Sequence, residues 1–322
     1  MRLAYQELFD TLRGVLLRLH VPPERAERCA RLFADASRDG VPSHGLNLFP
    51  RFVATIRSGT VDVAARARRT ASNGAFERWD GRGGIGNLNA WDGMARAIGL
   101  AREHGIGCVA LANTNHWGRG GNFGWQAADA GVVGICWTNT LPNLPPWGAD
   151  DPRIGNNPLV MAVPRPSGHI VLDMALSQFS FGALASYRMR GELLPVPGGF
   201  DTAGELTRDP AAIEASGRPL PIGYWKGSGL SILLDVIAAL ASGGRATHEV
   251  QRHPEKETGL SQVFIALDAG SDASHVVDRV VASLSVRYPG QRTLETRARS
   301  LAEGIPVEPS IWERVRNLNF EV

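Results

Sequence analysis

The pattern of apolar positions changes character twice along the 322-residue chain. Near the start it has a helical period. Leu8, Leu12, Val15, Leu16 and Leu19 share one face and predict an amphipathic helix over residues 5–19. Pro22 and Pro23 open a second helix, where Ala26, Cys29, Ala30 and Phe33 recur at i, i+3, i+4 and i+7 and Gly40 acts as the cap. Pro50 suits the first turn of a third helix, ending near Ser58. The middle of the chain alternates instead between short apolar runs and helical stretches. Strands are expected at 76–80, 106–112, 132–138, 159–163, 169–175 and 262–268, and helices at 88–104, 122–130, 177–186 and 230–241. The turn Pro166-Ser167-Gly168 joins two of these strands as an antiparallel hairpin. Residues 190–224, rich in Gly and Pro, read as a long ordered loop. From about Ser271 the pattern is helical again, broken at Tyr288-Pro289-Gly290. The expected fold is α/β (α+β), with a mostly antiparallel central sheet flanked by helices. Residues 1–70 and 271–322 would form a helical domain from both termini, and 71–270 the central sheet domain.

Composition narrows the class. At 43% hydrophobic and 20% charged residues, the chain can bury a sizeable core. A net charge of +2 gives no general attraction to nucleic acid or to a membrane surface. The densest basic run, residues 64–69, reads as a solvated face. Cys29, Cys108 and Cys136 are widely spaced in apolar surroundings, as buried free thiols of a reducing cytoplasm would be. The early acidic residues do not suit a signal peptide, and the apolar stretch Leu230–Ala241 is too short to span a bilayer. The expectation is a cytoplasmic protein with no nucleic-acid or membrane partner.

Chemistry concentrates between Leu111 and Pro164, where His116, Arg119 and several asparagines stand between apolar runs. His116 sits among amide donors, a guanidinium and permissive glycines. His44, in Pro42-Ser43-His44-Gly45, is a titratable ring on a polar turn, suited either to proton exchange or simply to a solvated loop. Asp173 is a carboxylate inside an apolar strand, where it would orient a histidine or meet a structural partner. Lys226 precedes an apolar helix, a combination that suits a phosphate but also an ordinary surface lysine. Gly81-x-Gly83-x-x-Gly86 follows a strand and precedes a helix, as a dinucleotide fingerprint does. The acidic residue that fingerprint needs has only Glu103, inside a helix, and a hairpin-rich sheet leaves no βαβ unit for it. No histidine pair has metal-ligand spacing, so no metal site is expected.

With these residues in place, the chain resembles the malate/L-lactate/ureidoglycolate dehydrogenase family. The similar stretches are GVPSHGLNLFPRFV, NTNHWGRGGNFGWQAADAGVVGICWTNT, PWGADDPRIGNNPLVMAVP, VLDMALSQFSFG and GYWKGSGLSILLDVIAAL, in the family's order over most of residues 1–270. The resemblance implies a non-Rossmann fold and an NAD(P)H-dependent reductase of a small, hydroxylated 2-oxo acid. The cofactor would be NADH or NADPH, and the assembly a homodimer. It implies His44 as the acid/base residue, with Asp173 orienting it. It implies that His169, Ile170, Val171, Leu172, Asp173, Met174 and Ala175 line the cofactor, together with Trp225-Lys226 and Gly290-Gln291-Arg292. Ser43, His116, Arg119 and Asn157 would meet the substrate. Lactate, malate or cyclic-imine reduction, and nucleotide binding without turnover, stand as alternatives. Two departures bear on substrate: position 48, usually Arg in the family, is Leu48, and the family's Gly-Thr-Asn-Pro reads Gly155-Asn156-Asn157-Pro158. A 2-oxo acid needs a cation for its carboxylate, and the remaining candidates are Arg51 and, preferred for its nearness to His116, Arg119.

Overall fold

The computed structural model describes residues 1–253, 256–270 and 274–318. The first elements are β1 (Arg2–Leu3), α1 (Tyr5–Arg18), α2 (Pro23–Arg38), a 3₁₀ turn Pro42–His44 and α3 (Phe49–Arg57). The central part holds β2 (Arg68–Asn73), β3 (Phe76–Asp80), α4 (Gly86–His104), β4 (Ile106–Asn115), α5 (Gly121–Asp129), β5 (Val133–Thr138), β6 (Leu159–Val163) and β7 (Ile170–Met174). There follow α6 (Phe181–Met189), β8 (Gly199–Phe200), β9 (Leu206–Thr207), α7 (Pro210–Ser216), α8 (Trp225–Ser242) and β10 (Thr258–Leu267). The chain continues through α9 (Ser274–Ser283), α10 (Gln291–Glu303), β11 (Ile305–Pro306) and α11 (Pro309–Asn317).

Seven strands form one sheet in the order β2-β3-β4-β10-β5-β6-β7. It is mostly antiparallel, as expected. β6 and β7 form the foreseen hairpin, pairing Leu159 with Met174 and Val163 with Ile170. One expectation fails: β3 and β4 are parallel, joined through α4, so a βαβ unit does exist at the glycine-rich turn. Three of its amides are nonetheless already used. Gly81 N–H donates to Ala112 O at 2.8 Å, Gly83 N–H to Asn113 O at 2.9 Å and Gly84 N–H to Gly81 O at 2.9 Å. A phosphate would find those donors occupied.

Residues 190–224 are less of a loop than their composition suggests. Asp209 caps α7 by accepting from Ala211 N–H at 2.9 Å, with Pro210 at the first helical position, and β8 pairs with β9. β2 was not foreseen; it is an exposed edge strand carrying Arg68 and Arg69 of the basic run, turned back by Gly74 at φ +57°. α8 begins at Trp225, five residues earlier than its apolar run, and has 18 residues. By length and composition it would reach across a bilayer, yet it lies against β10, β4 and β5 of the central sheet. The expected boundary at residue 271 falls outside the described residues.

Two cores meet behind the site. In one, α1, α2 and α3 pack with Ile305, Trp312 and Val315 from the other end of the chain. In the other, α4 and α5 cover one sheet face around Trp117, Phe123 and Phe264. The opposite face packs Trp137, Leu159 and Val263 against Leu234 and Ala238 of α8.

Candidate active site

Two histidines from distant parts of the sequence come together where these cores meet. His44 ends the 3₁₀ turn after α2, and His116 follows β4. Their rings stack with centroids 6.1 Å apart and planes 13° from parallel. Ser43 Oγ lies 3.1 Å from His44 Nδ1. Gly118 N–H donates to His116 Nδ1 at 3.1 Å, which leaves the proton of the neutral ring on Nε2. Burial lowers the His44 pKa; the charge of Asp173 opposes that shift, and Arg119 and Arg51 add to it. Burial, the neighbouring His44 and Arg51 push His116 down to about 3. The pair therefore comprises one ring locked neutral and one whose loss of a proton is eased by burial and opposed by Asp173.

His116 lines a cavity together with Leu48, Arg51, Phe52, Asn87, Asn115 and Glu257, among others. The walls come from α2, α3, the start of α4 and the end of β4. Asn87 and Asn115 are almost fully buried, and Asn115 Nδ2 donates to Gly83 O and Gly84 O at 2.8 Å each. Neither Glu257 nor Asn87 was foreseen. Each is a single polar residue at the start of an apolar element, with no local pattern to mark it.

Several expectations need correction. Arg119 is buried and engaged: its Nη1 donates to Asp39 Oδ2 at 2.7 Å, and its Nε lies 3.9 Å from Asp173 Oδ2. Asp39 also accepts from Arg38 Nε at 2.8 Å and from Arg297 Nε and Nη2 at 2.9 and 2.8 Å. Arg119 thus belongs to an internal ion cluster, while Arg51 lines the cavity. Asn157 is fully buried; its amide donates to Ser231 O and Oγ at 2.9 and 3.0 Å and accepts from Thr140 N–H at 3.1 Å. It braces the loop between β5 and β6 and has no capacity left for substrate. Asp173 is not enclosed, its side chain being 28% exposed, and it accepts from Gly121 N–H at 2.9 Å. Among the described residues no hydrogen bond joins it to His44; its reach to that ring is through charge.

The segments expected to line a cofactor do converge. β7 is an edge strand of the sheet, so one side of it is open to pairing. Gly290 lies in the left-handed region at φ +94°, and an added Cβ would fall 2.9 Å from Val171 N. Only glycine lets that turn press against β7, where Val171 N–H donates to Pro289 O at 3.0 Å. At the other end of β7, Ile222 N–H donates to Leu176 O at 2.8 Å, which brings the start of α8 alongside. There Trp225 is exposed and Lys226 Nζ stands 5.9 Å from its ring centre. An open strand edge, a flat aromatic surface and a lysine at a helix N-terminus fit a dinucleotide, with the two ends of β7 roughly 13 Å apart at ~3.3 Å per residue. His169 is tied elsewhere, with Nε2 3.0 Å from Asp129 Oδ1 and Nδ1 accepting from Arg165 N–H at 3.0 Å. Gln291 and Arg292 open α10, and Gln291 Nε2 donates to Glu295 at 3.2 Å.

The model of the malate/L-lactate dehydrogenase family matches residues 3–316. The chain belongs to that family and is an oxidoreductase acting on CH–OH groups with a nicotinamide cofactor. Among its relatives, the 2,3-diketo-L-gulonate reductase of Citrobacter koseri is 44% identical over 99% of this chain and 100% of that protein. The protein of the same name from Klebsiella pneumoniae is 43% identical with the same coverage. The solved sulfolactate dehydrogenase of Methanocaldococcus jannaschii superposes with a TM-score of 0.91 at 25% identity, covering 99% of this chain and 96% of that one. The Δ1-piperideine-2-carboxylate reductase of Pseudomonas syringae pv. tomato gives 0.88 at 31% identity, with 99% of each chain covered.

Proposed function

We propose that this chain is a cytoplasmic NADH-dependent reductase that converts 2,3-diketo-L-gulonate to 3-dehydro-L-gulonate. The observation that carries the reading is the stacked His44–His116 pair beside the cavity, in a chain alike over its whole length to reductases of that name. When bound, the nicotinamide supplies a hydride to the C2 carbonyl carbon. His44, braced by Ser43, gives its proton to the carbonyl oxygen as negative charge grows there. His116 presents Nε2–H to the substrate and, being held neutral, does not compete for the proton. β7, the Gly290 turn, Trp225 and Lys226 hold the cofactor. We read the helices of both chain ends as one domain and the sheet as the other. The subunits form a homodimer through the exposed apolar face of α8, which carries Leu233, Val236, Ile237 and Leu240.

The test is the loss of reduced-nicotinamide absorbance with NADH or NADPH and a set of carbonyl acids. 2,3-Diketo-L-gulonate should exceed pyruvate, oxaloacetate and Δ1-piperideine-2-carboxylate in kcat/KM by at least about tenfold, the span of ~1.4 kcal/mol in transition-state binding. A better rate with another acid would displace the substrate assignment. No oxidation with any of them would end the reductase reading.

A further inference from the structure

Three amides of the glycine-rich turn are spent on the protein, but its last glycine, Gly86, is placed differently. Gly86 opens α4 and lines the cavity together with Asn87, Asn115 and His116. A Cβ on Gly86 would fall 2.3 Å from the carbonyl oxygens of Asn115 and His116, so only glycine lets α4 start against the chain that carries His116. A Cβ on Gly118, whose amide holds the His116 ring, would lie 3.9 Å from Asn87 Cβ. No side chain caps this 19-residue helix. Leu88 N–H and Asn89 N–H reach Ile85 O at 3.2 and 3.0 Å, while the amides of Gly86 and Asn87 have no acceptor within the helix.

Beside those donors stand two acceptors. Asn87 and Asn115 are each 4% exposed. Asn115 Nδ2 is spent on Gly83 O and Gly84 O, and Asn87 Nδ2 on Cys29 Sγ at 3.4 Å. Each amide thus turns its nitrogen toward the protein, and among the described residues neither Oδ1 has a hydrogen-bond partner. A buried acceptor left unpaired is costly, so each oxygen is poised for a donor that enters the cavity.

We propose that the start of α4, with Asn87 and Asn115, is the subsite that reads the hydroxyl groups of a polyhydroxylated substrate tail. This deepens the 2-oxo-acid reading above and rests on it. Helix-start amides alone would welcome an anion, but two carbonyl oxygens beside them oppose it. A cation meets the opposite conflict. A neutral hydroxyl satisfies both sides, accepting from an N–H and donating to an Oδ1. Phe33, Leu48 and Phe52 line the same cavity and offer apolar walls to the carbons between the hydroxyls. A three-carbon acid has no hydroxyl beyond C2 to place there.

Two hydroxy acids, which NADH does not reduce, are titrated by calorimetry into the NADH-loaded protein. L-Gulonate and L-lactate share a carboxylate and a C2 hydroxyl; only gulonate carries hydroxyls further on. The wild type should bind L-gulonate at least about tenfold tighter, the worth of two neutral hydrogen bonds to acceptors otherwise unpaired. Asn87→Ala, with its fold checked by melting temperature, should weaken gulonate about 3- to 10-fold and lactate less than twofold. Equal affinity of the wild type for the two acids overturns the proposal, and that comparison needs no variant to fold. A gulonate loss below twofold in Asn87→Ala overturns it as well, as does a loss shared equally by lactate, which would make Asn87 a structural brace. A protein with the expected gulonate preference that reduces no carbonyl acid removes the functional reading and leaves the subsite standing. One that reduces 2,3-diketo-L-gulonate without any gulonate preference does the reverse.

Discussion

His44 and Asp39 show how much depends on single side chains. If His44 is the proton donor, His44→Ala should lower kcat for reduction by on the order of 10²–10⁴ while the Kd for NADH stays near wild type. Fluorescence titration with NADH separates the two effects. The pH profile follows from the direction of the shift. Burial lowers the His44 pKa below its ordinary value, so the protonated form is lost as pH rises through the range below 6.5. Reduction, which needs that proton, should decline in kcat/KM as pH rises in the range below 6.5; alcohol oxidation, which needs the free base, should rise over the same range and level off by neutrality. His44→Ala should flatten both curves. Asp39 behaves oppositely. Burial would raise its pKa, but hydrogen bonds from Arg297 and Arg38 and the Arg119 charge bring it down to about 2. A carboxylate depressed below its unfolded value of 3.8 stabilises the fold at neutral pH, and that contribution is lost as pH falls from about 4 toward 2. Asp39→Asn leaves buried Arg119 with only Asp173, 3.9 Å away, as a counterion and should cost about 3–5 kcal/mol in denaturant unfolding.

The helices and strands were legible to different degrees. α1 and α2 were set by periodicity and proline placement, and β6–β7 by two apolar runs around a Pro-Ser-Gly turn. β2 was hidden because an exposed edge strand has no apolar face to alternate, and α7 because Pro and Gly outweighed the Asp209-Pro210 capping signal. His44 and His116, whose rings the fold stacks, stood out in the sequence because each is unusual in its context. The site was misread where a polar residue is spent on structure: Asn157 and Arg119 look like ligands in one dimension, and only the fold reveals Ser231 and Asp39 as their partners. The glycine-rich turn is a case at this scale. Its parallel β3–β4 setting suits a dinucleotide, but the amides of Gly81, Gly83 and Gly84 are occupied. Gly83 stands at φ +63° with open space beside it, so Gly83→Ala should cost about 1 kcal/mol from backbone strain alone and leave NADH affinity unchanged. A weaker Kd at unchanged melting temperature would return the fingerprint to the cofactor site.

For the whole molecule, the apolar outer face of α8 and the ion cluster at Asp39 matter most. Leu240 is 71% exposed, on a helix whose other side is packed on the sheet. A buried charge at that point would oppose the proposed association, so if the subunits pair through α8, Leu240→Asp should shift the mass measured by light scattering from dimer to monomer, with far-UV circular dichroism unchanged. A wild-type protein that is monomeric at working concentration would place the interface question elsewhere. The Asp39 cluster has a consequence in time. Arg297 stands 258 residues after the carboxylate it grips, and Arg119 stands 80 after it. While the ribosome is still making the sheet, α2 has emerged with Asp39 held by nothing beyond its neighbour Arg38 and, later, Arg119. The knot closes only when α10 arrives, near the end of synthesis. A contact of such long sequence separation is closed late because loop closure precedes its reward. Removing it should therefore speed unfolding and leave the folding limb of the chevron nearly unmoved.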